Sequence, residues 1–398
     1  MEAMLKELTV LDFTNNIAGP CAGVLLADQG ANVIHVEKPV WGDDCRHFAP
    51  VIDGVGTTHI GVNHTKKSLV LDLKDPVAIE LVRKAITKTD VVIESSRPGV
   101  MDRLGLGYEE LKKINPRLIY CSISAFGQEG PYAGKAGYDV IAQAFSGFMY
   151  YTGEPNGKPT KITSAIGDFS TAINAFGSIM TALYYRERSG LGQHVDVSLA
   201  RTLTWMNASF DHLYTGVQRR RTGNHDSSLC PYGIFERGDG EYIVIGAVNV
   251  NLWRKLCAVM GREELMDDPR YMTNDARVEN HREVIEIIEG WLKTLPSVYA
   301  AAALLDEAGI PNCKLYTMDD ILNDPQVQDR NWLCDIPACE GMTSLQSRKT
   351  PVGLADFSEG ELCVGRAPTL GEHSVQILQE WGLTEEEAIG LEAKWGAK

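Results

Sequence analysis

Long apolar runs are missing from this 398-residue sequence. No stretch of about 18 consecutive apolar residues occurs, so no membrane-spanning helix is expected. Basic charge is scarce: 38 Lys and Arg stand against 53 Asp and Glu, a net charge of −15 with a pI near 5.1. A general binder of nucleic acid or of anionic membrane carries the opposite field, so only a local basic cluster would hold a polyanion. The nine cysteines are odd in number and include no CxxC pair and no Cys/His spacing suited to a metal. That usage fits a reducing compartment with structural thiols, and Cys121 and Cys313, in apolar runs, read as core residues. The opening MEAMLKELTV has no basic stretch leading into an apolar one, so no signal peptide and a cytoplasmic location are expected.

Several catalytic signatures are absent too. No GxGxxG follows an expected strand, which removes the warrant for a nicotinamide or flavin site. Gly130 to Lys135, GPYAGK, is one residue short of a phosphate-binding P-loop and is followed by Ala136 rather than Ser or Thr; it reads as a turn or as a flexible loop over a ligand. There is no HExxH and no GxSxG, so neither a zinc protease nor an α/β-hydrolase serine is expected. No internal repeat and no low-complexity tract interrupts the chain.

What is present is a regular alternation. Leu8 to Phe13, Asn32 to Val36, Leu69 to Leu73, Asp90 to Glu94 and Leu118 to Ala125 are short apolar runs that read as buried strands. Gly19-Pro20 break off the first run, and helical patterns follow at Cys21 to Asp28, Pro76 to Lys88 and Tyr108 to Lys113. Strands alternating with helices argue for an α/β fold with a mostly parallel, doubly wound sheet. Ligands of such sheets sit at the carboxyl ends of strands, which directs attention to the loops after Phe13, Val36, Glu94 and Ala125. Basic residues gather there: Lys38, Arg46, Lys66, Lys67, Lys74, Arg97 and Arg103. They are either solvated surface charges or partners for phosphates.

Further on, His194 to Leu199 reads as a strand and Arg201 to Val217 as a helix, followed by a basic break at Arg219 to Asn224. From Pro231 the texture changes. Gly233 to Glu236 and Tyr242 to Ala247 flank Gly238-Asp239-Gly240 as a hairpin, with helices at Leu252 to Met260, Arg282 to Leu292 and Val298 to Ala308. The expected division is a large domain over 1–218, a small α+β domain over 219–330, and a C-terminal segment, 331–398, that completes the large one. In that segment Thr384 and Glu387 form a capping-box signature.

One stretch stands out, Lys161 to Tyr185. Phe169, Ile173, Phe176, Met180 and Leu183 recur at helical spacing and mark a buried face. At its head Asp168 follows Gly167. The carboxylate is either an N-cap for that helix or a catalytic group, kept ionised by the helix N–H groups at the edge of a dry site.

The whole chain resembles the class III CoA-transferases, the family of formyl-CoA transferase and the carnitine and bile-acid-inducible CoA-transferases. The residues that carry the resemblance are Val10-Leu11-Asp12-Phe13 with Ala18-Gly19-Pro20, Gly30 to Ile34 leading to Glu37, and Lys67-Ser68 before Leu71-Asp72-Leu73. Arg97-Pro98-Gly99, Asp102 to Gly105, Phe126-Gly127, Gly137-Tyr138-Asp139, Gly167-Asp168, Gly190 to Asp196, Asp268-Pro269-Arg270, Gly309-Ile310-Pro311 and Gly371-Glu372-His373 continue it in order. The resemblance implies a Rossmann-like large domain, a smaller domain, a C-terminal segment returning to the first, and two open rings interlocked as a homodimer.

It also implies chemistry. Asp168 takes the place of the family's nucleophile, which forms an aspartyl anhydride and then an aspartyl-CoA thioester while CoA passes from an acyl-CoA to a carboxylic acid. Asp139 falls where the family has a second carboxylate. The CoA contacts fall on Asn16, Lys38, Leu71, Lys74, Ser95, Ser96, Arg103, Leu104 and Tyr138. No metal and no prosthetic group is implied, with CoA entering as substrate. Lys38, Ile17 and Ala136 depart from formyl-CoA transferase, which points away from formate and oxalate and toward the carnitine and bile-acid-inducible branches with a larger acyl group. Two other readings stay open: an α-methylacyl-CoA racemase of the same fold, disfavoured because Tyr138 stands where that subgroup has histidine, and a non-catalytic CoA-binding protein.

Overall fold

In the computed structural model, which describes residues 2–207, 210–238 and 240–396, two compact units are present. The first comprises Met1–Phe148, Ile162–Ala208 and Gln328–Lys398; the second comprises Met149–Lys161 and Ser209–Val327. Residues 149–161, which lie within the expected large domain, thus cluster with the second unit.

The first unit is built on six parallel strands: β1 (Thr9–Phe13), β2 (Asn32–Glu37), β3 (Lys67–Val70), β4 (Val91–Glu94), β5 (Ile119–Ser124) and β6 (Gln193–Ser198). Their order across the sheet is β3-β2-β1-β4-β5-β6, with Leu11 paired to Ile34 on one side and to Val92 on the other. This is the doubly wound order, and it reverses direction between β1 and β4. Apolar runs make these strands because a parallel sheet is covered on both faces. Val10, Val33, Ile93 and Cys121 pack on one face against α1 (Ala18–Asp28) and α5 (Ile166–Ser189). Leu11, Ile34, Val92 and Tyr120 pack on the other, against α2 (Pro76–Ala85), α3 (Tyr108–Ile114) and the C-terminal helices Ser374–Glu380 and Glu385–Gly396. Between α3 and α5 lies the short helix α4 (Asp139–Phe145), and after β6 comes α6 (Leu199–Met206).

Three local expectations are corrected here. Gly19 and Pro20 do not break the chain but form the first turn of α1, where proline's missing N–H would have had no helical partner anyway. The third strand starts at Lys67 and ends at Val70 rather than running from Leu69 to Leu73. Its polar start is buried because the C-terminal segment covers this sheet edge: the Ser68 N–H donates to His373 Nδ1 (3.2 Å) and the Val70 N–H to Ser374 Oγ (3.1 Å). In α5, Thr171, Ala172, Ala175, Ile179 and Ala182 are buried, whereas Phe169 and Ile173 are 40% and 48% exposed. Small residues let the head of α5 lie close against Ala18 and Ala22 of α1, which leaves Phe169 and Ile173 outward, while Phe176, Met180 and Leu183 further along pack on the core as expected.

The second unit holds an antiparallel sheet of β7 (Tyr232–Gly238), β8 (Glu241–Gly246) and β9 (Asn312–Lys314). Its core joins Phe235, Ile243 and Ile245 to Trp253, Ile288 and Leu305 from helices Val250–Val259, His281–Leu292 and Val298–Glu307. Asp239 of the expected hairpin turn lies outside the described residues. So do 208 and 209, which interrupt the helix expected over 201–217. Cys121 is a core residue, but Cys313 is exposed on the edge strand β9. The Thr384–Glu387 capping box forms, with both backbone N–H groups bonded to the opposite side chain.

Candidate active site

The carboxyl ends of β1, β2 and β4 open into two adjoining cavities. One, of about 380 Å³, is lined by Phe13, Thr14, Asn15, Glu37, Lys38, Leu71, Lys74, Ser96 and Leu104. The other, of about 860 Å³, is lined by Asn15, Asn16, Ile17, Trp41, His47, Ser95, Tyr138 and Asp168. Asn15 borders both. The structure therefore gathers Lys38, Leu71, Lys74, Ser96 and Leu104 at the first cavity, and Asn16, Ser95, Tyr138 and Asp168 at the second. Arg103 and Asp139 line neither, although Arg103 adjoins Leu104 in the chain.

The Thr14–Asn16 loop, the shared wall, is fixed from below. The Thr14 N–H donates to Asp12 Oδ1 (3.0 Å) and the Asn16 N–H to Asp43 Oδ1 (3.0 Å). Both carboxylates meet the buried His35, whose Nδ1 is 3.3 Å from Asp12 Oδ2 and whose Nε2 is 3.2 Å from Asp43 Oδ2. Burial pushes His35 down, but Asp12 and Asp43 outweigh it and hold the imidazolium up to about 9. Asn15 completes the loop: its N–H donates to Ser95 Oγ (3.1 Å), its Nδ2 to Asp44 Oδ2 (2.5 Å), and its Oδ1 accepts the Asp44 N–H (2.8 Å). Asn16 holds φ at 74°, a left-handed conformation asparagine tolerates better than most residues. Asp43, Asp44 and His35 were not singled out from the sequence. The available signal was the polar Asn15-Asn16 turn between a strand and a helix.

Of the basic cluster, Lys38 and Lys74 reach the first cavity, while Arg46 and Lys66 are buried and already committed. Arg46 forms a bidentate pair with Glu37 (2.7 and 2.7 Å). Lys66 donates to Asp12 Oδ2 (2.8 Å), the Pro20 carbonyl (2.7 Å) and Asn63 Oδ1 (2.9 Å). They are neither solvated nor available to a phosphate.

Asp168 is not an N-cap. The helix α5 starts two residues earlier, at Ile166, with Ala165 at the cap position and no side-chain cap bond. The carboxylate is not held ionised either. Burial, reinforced by the charge of Asp139, pushes it up to about 7. Asp139 stands behind it, accepting the Gly167 N–H (2.6 Å) on one oxygen and Gln143 Nε2 (2.6 Å) on the other. A Cβ on Gly167 would sit 2.7 Å from Asp139 Oδ1, so the glycine leaves room for this carboxylate rather than for the substrate. Next to burial, the neighbouring Asp139 charge is what raises Asp168.

An α/β unit whose cavities straddle the reversal point of its sheet, with a half-buried carboxylate that has no hydrogen-bond partner among the described residues in the larger one, fits a coenzyme- or nucleotide-binding enzyme. The model of CoA-transferase family III matches residues 5–374, and the chain belongs to that family. It is 38% identical to the succinate–glutarate CoA-transferase of Agrobacterium fabrum, over 94% of this chain and 95% of that protein. It is 33% identical to human succinyl-CoA:glutarate CoA-transferase (97% and 88%) and 36% identical to acetyl-CoA:oxalate CoA-transferase of Acetobacter aceti (95% and 96%). Among solved structures, a CaiB/BaiF family protein from Brucella suis superposes with a TM-score of 0.84 at 35% identity, covering 96% of this chain and all of that one. The protein is thus a family III CoA-transferase acting on CoA thioesters. Among the described residues no helix is long and apolar enough to cross a membrane.

Proposed function

We propose that this enzyme carries CoA from an acyl-CoA to a short dicarboxylic acid through covalent intermediates on Asp168. The observation that carries this reading is a half-buried carboxylate, without a hydrogen-bond partner among the described residues, in the cavity that adjoins the Lys38–Lys74 pocket. CoA lies across both, its phosphates toward Lys38 and Lys74 and its thioester toward Asp168. The Asp168 carboxylate attacks the thioester carbonyl, giving a mixed anhydride and CoA thiolate. The thiolate attacks the aspartyl carbonyl, releasing the first acid and leaving aspartyl-CoA. The incoming carboxylate repeats the sequence in reverse, and Asp168 returns unchanged. Nucleophilic catalysis of this kind splits one difficult exchange into easier steps. A desolvated carboxylate is the better nucleophile, and the first N–H groups of α1, at Ala18 and Gly19, which line the same cavity as Asp168, lack helical acceptors and suit the oxyanions.

The acid class rests on relatives named for glutarate, oxalate and D-citramalate, which match nearly the whole chain. They favour a short dicarboxylic acid over the larger acyl group that the motifs suggested. Racemisation lacks its histidine at Tyr138. The decisive test is mass spectrometry after incubation with acyl-CoA alone: a hydroxylamine- or borohydride-trapped adduct on Asp168 is expected, and CoA bound with no adduct would sink the reading.

Asp139 sets the pH dependence of that step. The acid limb of kcat/KM, which reports the free enzyme, is expected near pH 7 in the wild type. Asp139→Asn removes the neighbouring negative charge while keeping an acceptor for the Gly167 N–H. Its limb is expected to move to lower pH, and an unmoved limb would show that Asp139 does not control Asp168.

The exposed Phe169 and Ile173 of α5, with Val140, Ile141 and Phe145 of α4 and Trp205 of α6, support a homodimer in which these apolar faces are covered. Light scattering that returned the mass of one chain would overturn that assignment.

A further inference from the structure

A third cavity, of about 230 Å³, adjoins the Asp168 cavity at Trp41 and His47, which line both. These two rings lie against each other with centroids 3.9 Å apart, tilted by 31°. His47 Nε2 is 2.8 Å from the Trp41 carbonyl, and Trp41 Nε1 donates to Asp44 Oδ1 (2.9 Å). The walls are mostly apolar, with Val55, Ile60, Met342 and Leu370 among them. Two buried polar side chains also border the cavity, His59 and Arg46, 0% and 6% exposed.

The hydrogen-bond chain assigns the His59 proton. The Lys66 ammonium can only donate, so the Asn63 amide must turn its oxygen toward it (2.9 Å). The Asn63 nitrogen then faces His59 Nδ1 at 3.1 Å and Cys45 Sγ at 3.6 Å, one hydrogen for each, and the Cys45 Sγ also lies 3.6 Å from Nδ1; the shorter contact makes Nδ1 the acceptor. An Nδ1 that accepts leaves the imidazole neutral with its hydrogen on Nε2. Burial, with the charge of Arg46 beside it, favours the neutral form and pushes His59 down to about 3. Yet His59 Nε2 has no hydrogen-bond partner among the described residues. Arg46 gives Nε and Nη2 to Glu37, and both Nη atoms to the Pro368 carbonyl (3.3 Å each). Those four bonds leave one of the five guanidinium hydrogens unassigned. A buried N–H with no acceptor is unfavourable, so the cavity offers a place for an acceptor oxygen. Glu340, whose carboxylate lies 3.9 Å from Arg366 Nη2, stands at the exposed rim.

We propose that this cavity is the subsite for the distal carboxylate of the dicarboxylic acid, with His59 Nε2–H as its donor, Arg46 as the nearby positive charge, and the apolar walls against its methylenes. The proposal rests on Asp168 reacting with the other carboxyl group. A neutral donor beside a largely neutralised arginine favours an acid held loosely enough to leave after each turnover.

The test compares glutarate with butyrate as acceptors, acetyl-CoA being the donor, in wild type, His59→Phe and Val55→Trp. His59→Phe removes the donor while keeping a flat ring. Val55→Trp fills the cavity without touching the His59–Asn63–Lys66 chain, which separates recognition from folding. For both variants KM for glutarate is expected to rise about tenfold or more, with kcat and the KM for butyrate changing by less than about threefold. Equal changes for the two acids, or none, would overturn the subsite. A wild type that accepts butyrate but not glutarate would also overturn it while leaving the Asp168 mechanism standing. If neither acid accepts CoA and no adduct forms on Asp168, the mechanism itself falls and the subsite with it.

Discussion

Asp168→Asn is expected to lower CoA transfer by about 10⁴-fold or more, the scale seen when a covalent nucleophile is removed, and to abolish the trapped adduct. The same substitution is expected to make the protein more stable at pH 8. The two results share a cause. The native Asp168 carboxyl, pushed up to about 7 by burial and by Asp139, binds a proton that the unfolded chain has already lost above about pH 4. Stability therefore falls as pH rises from about 4 to 7, and the full penalty is present above 7. An asparagine of the same shape carries no charge to desolvate, so thermal unfolding at pH 8 should show a gain on the order of 2 kcal/mol, about half of what a rise from the usual carboxylate range to about 7 corresponds to because the group is partly open to water, shrinking to nothing near pH 4. A variant with retained turnover would remove Asp168 from the chemistry. An inactive variant that is also less stable at pH 8 would show that the Asp168 carboxyl is not raised in the folded protein.

The second large effect is structural. Lys66→Met is expected to cost about 3–5 kcal/mol of stability, because removing one partner strands the other charge in the interior. Lys66 and Asp12 are both fully buried, and all three ammonium hydrogens are spent on Asp12, Pro20 and Asn63. Since Asp12 also anchors the Thr14 N–H, the KM for acyl-CoA should rise together with the loss in denaturant midpoint. A change below about 1 kcal/mol, the range of exposed pairs, would show that water reaches this network. The wild type has matching pH limits. Glu37 is held down to about 2, with Arg46 the largest of the influences opposing its burial. That contribution is present above the ordinary carboxylate range and is lost as pH falls through about 2. His35, raised to about 9, contributes fully below about 6.5 and is lost as pH rises through about 9.

Much of the first unit was legible because a parallel sheet covered on both faces writes each strand as a continuous apolar run, as in Asp90 to Glu94. The lapses occur where an environment is assembled from distant parts of the chain. Nothing near Lys67-Ser68 announces that His373 and Ser374 will cover that edge. The pairings of Arg46 with Glu37 and of Lys66 with Asp12 place cations indoors that composition would put in water. At the site, the Gly167-Asp168 position was legible only through whole-chain resemblance. Its electrostatics were not, because the charge that shifts it sits on Asp139, on a separate helix. In α5 the period was right and the face only partly so: Leu183 is in the core and Phe176 and Met180 pack against it, but Phe169 and Ile173 at the head are exposed, where alanines and Thr171 face inward instead.

The cover on β3 has a consequence for the order of assembly. Ser68 Oγ accepts the Gly371 N–H (2.8 Å), and the Ser68 carbonyl accepts the His373 N–H (3.0 Å), so the sheet's first-made edge is closed by residues some three hundred positions later. Contacts of such long span form late and slow the folding search. On a translating ribosome the 209–327 unit can collapse while β3 still presents an open edge, a template for pairing with other chains. Until residues 371–374 have been made, that edge has no cover from its own chain.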